Sequence, residues 1–390
     1  MKLYRFGTPR PTVLFVLPAT VPGGAEIRLL QMLPQFTRIR PVLLTQRSLP
    51  GVRELALECH YFEDMQCSNP YAYDLQNSLH YAQAIALKAH RLRPALTFGW
   101  MHHGTYFVTL AALTAGLRGL RFGCILGPPT AHFRFCGHPP STYERVLFGL
   151  ICRGMDALIT PSFGVREDLI RHFHAPAARL HCIYNGVDLA RIHSKARQTL
   201  VLPPKQRPWI VTASRLSAEK GLDVLLAAFA RLRQHMDAQL ILLGEGPDRA
   251  RLEQLMASLG LQGQVWLPGH QDNPFPWIAR ADVFAMASRL EGFGNALVEA
   301  MALGIPVVST ACEWGPQEII EAGKSGILVP VDDATALAEA LQRVLQDRTL
   351  AAQLSTGARQ RAGCFSFAQM LTRYEQQLLA ALIEDKNTAS

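Results

Sequence analysis

Nowhere in this sequence do two cysteines stand two residues apart. That absence removes zinc ribbons and thioredoxin-type redox motifs from consideration. The eight cysteines lie scattered at positions 59, 67, 124, 136, 152, 182, 312 and 364, as expected of a cytoplasmic protein with reduced, mostly buried thiols. Long apolar runs are missing too. No stretch approaches the roughly 18 residues of a membrane-spanning helix. The early run from Val13 to Leu17 stops after five residues at Pro18. Lys2, Arg5 and Arg10 precede it, yet it is too short for the core of a secretion signal and reads as a first buried strand. There is no short internal repeat and no low-complexity tract. With 49% hydrophobic and 18% charged residues among 390, the chain is globular and long enough for two cores.

Acidic residues are scarce in the first half. Residues 1–199 carry 22 Lys+Arg against 11 Asp+Glu, and the remainder carries 17 against 20. The asymmetry points to an anionic partner for the first half: a phospholipid surface, a lipid-linked phosphate or a nucleic acid. An Arg-rich surface that serves only solubility is the plain alternative. No RNA-binding motif accompanies the charge and the second half is not basic, so no nucleic-acid partner is expected.

Short apolar β-rich runs such as "TVLFVL", "ALTFGW" and "DALITPS" alternate with longer amphipathic stretches. Fully apolar strands between helices indicate parallel sheets covered on both faces. Near 186–208 the pattern breaks in a basic stretch containing Pro203 and Pro204, a linker signal. A second alternating series then begins at "WIVTASRL". The predicted fold class is α/β, with two Rossmann-like, doubly wound parallel-sheet domains facing across a cleft. The expected divisions are a first domain over 1–190, a linker over 191–207, a second domain over 208–366 and a final helix over 367–390.

Ligands in such sheets bind beyond the carboxyl ends of strands, so chemistry is sought in the loops there. "SRLEGFGNALVEAMALG" follows the strand "ADVFAMAS". Glycines admit a ligand close to the backbone, and the free N–H groups of a helix start favour an anion. Asn295 or a neighbour could cap that helix. Glu299, near the first turn, could accept two sugar hydroxyls, and Glu291 on the loop could accept those of a second sugar. Arg215 and Lys220 follow the first strand of the second series, where a guanidinium and an ammonium can grip phosphate. Gly23 and Gly24 make a bare turn after the first strand of the chain; the spacing is no dinucleotide fingerprint. His102 and His103 follow another strand and could bond a sugar hydroxyl, with no third residue at metal-ligand spacing. Each of these residue types is more often a solvated surface group or a plain turn; their repeated placement after strands favours a site. The stretch with His132, Arg134 and His138 suits an acceptor or membrane contact, single-stranded RNA stacking, or an ordinary surface loop.

"GGAE" at 23–26, "NGVD" at 185–188, "SRLSAEKGLD" at 214–223, "LGEGPDRARLE" at 243–253, "EGFGNALVEAMALGIPVVST" at 291–310, "GPQEII" at 315–320 and "SGILVP" at 325–330 occur in this order. Together they resemble the retaining glycosyltransferases of family 4, with two-domain GT-B architecture, over nearly the whole chain. The resemblance implies that Glu291 and Glu299 are the family's E-x7-E pair. Glu299 would hold the ribose; Glu291, with the backbone of Gly292, Phe293, Gly294 and Asn295, would hold the donor sugar. Arg215 and Lys220 would neutralise the departing diphosphate in place of a metal, so neither metal nor cofactor is expected. Gly24 would lie near the donor phosphate. "WMHHG" is similar to a "W-M-x-H" segment of some members, which makes His103 the candidate for the donor-sugar contact. The final helix would cross back to the first domain.

The implied reaction moves a hexose or N-acetylhexosamine from a nucleoside-diphosphate sugar, UDP being the family's commonest donor. The segment "STACEWGPQEII" resembles members that build surface polysaccharides. The acceptor would be a glycan or lipid-linked sugar of polysaccharide or lipopolysaccharide synthesis, met by the basic first domain at the inner face of a membrane. The alternatives are a non-catalytic sugar-nucleotide-binding subunit of the same fold and a nucleotide-sugar epimerase.

Overall fold

The computed structural model describes residues 9–21, 23–65, 67, 74–130, 133 and 141–388. The first sheet contains β1 (Thr12–Leu17), β2 (Arg40–Thr45), β3 (Glu58–Tyr61), β4 (Leu96–Gly99), β5 (Leu120–Cys124), β6 (Ala157–Thr160) and β7 (Leu180–Cys182). Its strand order is 3-2-1-4-5-6-7. The second contains β8 (Trp209–Ala213), β9 (Gln239–Leu243), β10 (Val265–Gly269), β11 (Val283–Met286), β12 (Val307–Thr310) and β13 (Ile327–Val329), in the order 10-9-8-11-12-13. All strand pairings in both sheets are parallel.

Alternation along each strand builds two cores per sheet. In β1, Val13, Phe15 and Leu17 enter one core while Leu14 and Val16 enter the other. In β8, Ile210 enters one and Trp209 and Val211 the other. A strand buried on both faces must be apolar throughout, which is why these runs show no polar alternation. The strand order reverses between β1 and β4 and between β8 and β11. Loops leaving such neighbours diverge and open the crevice where doubly wound sheets bind ligands.

The last helix, Phe367–Thr388, returns to the first sheet. Met370, Tyr374, Leu378, Leu379 and Leu382 join the core that holds Val13 and Phe15. Glu375 pins it there: Oε1 accepts the backbone N–H of Thr37 at 2.6 Å and of Arg38 at 2.7 Å.

Two differences from the sequence expectation stand out. The stretch read as a linker opens in a helix, Leu189–Ala196, which starts where the Asp188 side chain accepts Arg191 N–H at 2.9 Å. The short strands β3 and β7 were not foreseen. The seven described cysteines are free thiols, and only Cys364 among them is exposed. No helix among the described residues is long and apolar enough to cross a membrane.

Candidate functional site

The loops after β8 and β11 meet at the second sheet's switch point. After β8 the chain makes a single turn over Ala218–Lys220 that ends at Gly221, in left-handed conformation with φ 59°. A Cβ on Gly221 would stand 2.1 Å from the Ala287 carbonyl oxygen, so only glycine lets the first loop lie on the second. Arg289 fastens the pair. It reaches Asp223 at 2.9 Å and Asp332 at 2.6 Å and donates to the Ala218 carbonyl at 2.8 Å. These contacts deliver Lys220 to Glu291. Lys220 Nζ stands 2.7 Å from Glu291 Oε1, and the Ser288 hydroxyl donates to the same oxygen at 2.8 Å. Burial favours the neutral Lys220 amine, but Glu291 outweighs it and raises its pKa.

Helix Asn295–Ala302 follows. Its cap is Gly294, not Asn295, and no side chain caps it, because Gly294 has none to offer. Asn295 instead accepts a 3.2 Å hydrogen bond from Asn185 Nδ2 of the first domain. The helix start is thus left with N–H donors that no capping side chain occupies, the condition for anion binding. Glu299 sits in the second turn, one turn beyond Asn295, since no acid occupies the first. Burial raises its carboxyl pKa; Arg28 and Arg191 act against that.

A cavity of about 530 Å³ brings these loops together with the first domain. Gly24, Arg215, Lys220, Glu291, Gly294, Asn295 and Glu299 all line it. Arg215 is exposed and makes no hydrogen bond or ion pair with any described residue, and a Cβ on Gly24 would meet open space. Three expected site residues, Gly292, Phe293 and His103, are not among those lining the cavity. Phe293 is 2% exposed and its ring packs on Tyr184 and Phe365, so its side chain faces the core. Gly292 faces the other domain: an added Cβ would stand 2.0 Å from the Leu126 carbonyl oxygen, and its own carbonyl accepts the Ser162 hydroxyl at 2.9 Å. Bare backbone at Gly292 therefore serves the close approach of the domains. His102 and His103 open helix Met101–Thr114, with rings 3.8 Å apart. His102 is exposed and His103 half-buried, and neither is among the residues lining the cavity. His132, Arg134 and His138 lie outside the described residues.

Two cavity arginines escaped the sequence reading. Arg28 stands four residues after Gly24, hence on the same face of helix Gly24–Met32; Arg191 follows the "NGVD" stretch. Both act electrostatically on Glu299. Helical spacing from Gly24 was the available signal for Arg28. Among the described residues no cluster of three or more His, Cys, Asp or Glu could hold a metal ion. The cavity lining combines two carboxylates, Glu291 and Glu299, with the cations Lys220, Arg215, Arg28 and Arg191 and an uncapped helix start. It can bind a polyhydroxylated group at two points around a phosphate.

Residues 22–191 match the family described as Glycosyltransferase Family 4, and residues 196–361 match the one described as Glycosyl transferases group 1. The chain is similar to the N-acetylgalactosamine-N,N'-diacetylbacillosaminyl-diphospho-undecaprenol 4-alpha-N-acetylgalactosaminyltransferase of Campylobacter jejuni. That likeness is 28% identity over 350 residues, 88% of this chain and 92% of that protein. A shorter one, 37% over 179 residues, is to the lipopolysaccharide core biosynthesis glycosyltransferase LpsE of Rhizobium meliloti and covers 46% of this chain and 51% of that one. Among solved structures, HepE of Anabaena in complex with UDP and glucose matches with a TM-score of 0.78 and 22% identity, over 95% of this chain and 100% of that one; the likeness is one of fold.

Proposed function

The chain belongs to the family 4 glycosyltransferases of GT-B architecture, and from that premise we propose that it transfers a hexose or N-acetylhexosamine from a UDP-sugar to a glycan or lipid-linked acceptor, with retention and without a metal. The observation that carries this reading is the single cavity shared by Glu291, Lys220, Arg215 and Glu299. Glu299 accepts the ribose hydroxyls and Glu291 those of the donor sugar. Lys220 keeps two of its three N–H donors for phosphate while Glu291 takes the third. Arg215, without a partner among the described residues, supplies the second cation.

In the reaction the bond from the anomeric carbon to the donor phosphate oxygen breaks. An acceptor hydroxyl oxygen bonds to the same face of that carbon, and its proton passes to the leaving phosphate. Negative charge grows on the diphosphate, and Lys220, Arg215 and the helix start at Asn295 stabilise it. Preorganised donors of that kind supply much of an enzyme's rate enhancement.

The acceptor reading rests on charge. From residue 75 to residue 143 there is not one acidic residue, while six Lys and Arg and six His occur. Helix Thr142–Gly154 comes next in the chain and exposes Val146 and Leu150. A basic surface with exposed aliphatic side chains suits an anionic, lipid-bearing acceptor at a membrane. The Campylobacter relative's name states a diphospho-undecaprenol substrate, which supports the same class here. The test is transfer from labelled UDP-sugars to polyprenyl-diphosphate-linked sugars with EDTA present, with product anomers read by NMR. Label in the lipid fraction with the donor's anomeric configuration is expected. Donor epimerised without acceptor, or no turnover with any acceptor, would overturn it.

A further inference from the structure

Arg28 is a charged cleft residue whose burial has no local explanation among the described residues. Its Nη1 is fully shielded from solvent, yet Arg28 makes no hydrogen bond to any described residue. A shielded guanidinium N–H without an acceptor carries the full cost of its lost hydration, and long cationic side chains ordinarily swing out to water instead. Arg28 is held in place: its helix is tied to β4 by the Trp100 indole, which donates to the Ala25 carbonyl at 3.0 Å, and Leu29 and Met32 beside it are fully buried. Two groups face it, Tyr374 of the last helix and Glu299 of the second domain. A neutral phenol and one carboxylate leave a five-donor fork under-used.

We propose that Arg28 is a phosphate-binding residue of the donor site, contributed by the first domain, that grips the nucleoside-proximal phosphate once the nucleotide lies on the second domain. Three placements support this. Arg28 lines the same cavity as Arg215, Lys220 and Glu299. It stands one helical turn from Gly24, where the backbone opens on that cavity. Its other neighbour there, Glu299, is the ribose acid in the reading above, on which this inference rests, and the phosphate next to the ribose is the nearest anion a nucleotide would bring. A planar guanidinium matches phosphate with two parallel bonds. The contact would also bridge the domains through the ligand, since Arg28 and Lys220 belong to different sheets. Donor binding would then favour the closed cleft by differential contact, as population shift requires.

The experiment compares UDP and uridine on the wild type, Arg28→Met and Arg28→Lys, by calorimetry for UDP and NMR titration for uridine. Arg28→Met is expected to lose UDP affinity by about 10- to 100-fold, the equivalent of one charge-assisted bond, with uridine affinity unchanged and Arg28→Lys intermediate. Thermal unfolding of each variant controls for folding. Equal UDP affinity in wild type and Arg28→Met would overturn the proposal. So would a parallel loss for UDP and uridine, which would mean that Arg28 acts only through Glu299. Failure of the wild type itself to bind UDP would remove the donor reading, and this inference with it.

Discussion

Replacing Lys220 with methionine keeps the aliphatic stem and deletes the ammonium 2.7 Å from Glu291. The two side chains are 20% and 13% exposed, between a surface pair, worth about 0–1 kcal/mol, and a fully buried one, whose disruption costs about 3–5 kcal/mol. The expected loss of stability is about 1–3 kcal/mol, because Glu291 retains the Ser288 hydroxyl as a donor. The functional loss is larger. A cation aimed at charge that develops in the transition state is worth about 100- to 1000-fold in kcat. Denaturant unfolding reads the first quantity and steady-state transfer the second. The double variant Lys220→Met with Glu291→Gln separates them. It should recover part of the stability, since no unpaired charge is left behind, and recover none of the turnover. Unchanged turnover in Lys220→Met would refute the role given to the ammonium; full additivity in stability would refute the ion pair.

Three further outcomes follow from the geometry. Glu375→Ala removes the acceptor of two backbone N–H groups and should lower stability by about 2–4 kcal/mol, since a bond to a charged group is worth about 1.5–3 kcal/mol and two that share one oxygen do not add in full; unchanged thermal unfolding would mean the last helix is held by apolar contacts alone. Gly292→Ala forces a Cβ against the Leu126 carbonyl and should cost about 1–3 kcal/mol, whereas a Cβ on Gly127 meets open space; equal unfolding midpoints for the two variants would contradict the close domain contact. Burial raises the Glu299 pKa above its ordinary 4.5, so its acid form persists to higher pH. UDP binding should therefore strengthen as pH rises through that raised value, and the dependence should vanish in Glu299→Gln. Any contribution of this group to folding runs the other way, since the folded chain binds the proton more tightly and loses that advantage as pH rises. A UDP affinity flat from acidic to neutral pH would rule the carboxylate out.

The alternation of apolar runs and amphipathic segments was enough to read two parallel sheets, because strands buried on both faces cannot hide among polar residues. Shorter elements were not legible. β3, "ECHY", has no apolar run and lies half-buried at a sheet edge, and β7 has three residues. Helix Leu189–Ala196 buries Ile192 alone, so its basic composition looked like a linker; the Asp188 cap was the overlooked signal. Of the site, the carboxylates and cations of the second domain could be located because they follow strands within one sheet. Arg28 could not, since its partners come from another domain and from the last helix. The roles of Phe293 and Gly292 were obscured for a related reason: the cavity loop is also a packing surface, and spacing does not tell which face a residue serves.

Calorimetric titration of the purified protein with UDP, in EDTA, tests the central claim most directly. Saturable binding without a divalent metal is expected, lost in Glu299→Ala while the variant stays folded. Binding that survives Glu299→Ala unchanged, or that requires a metal ion, would contradict the site as drawn.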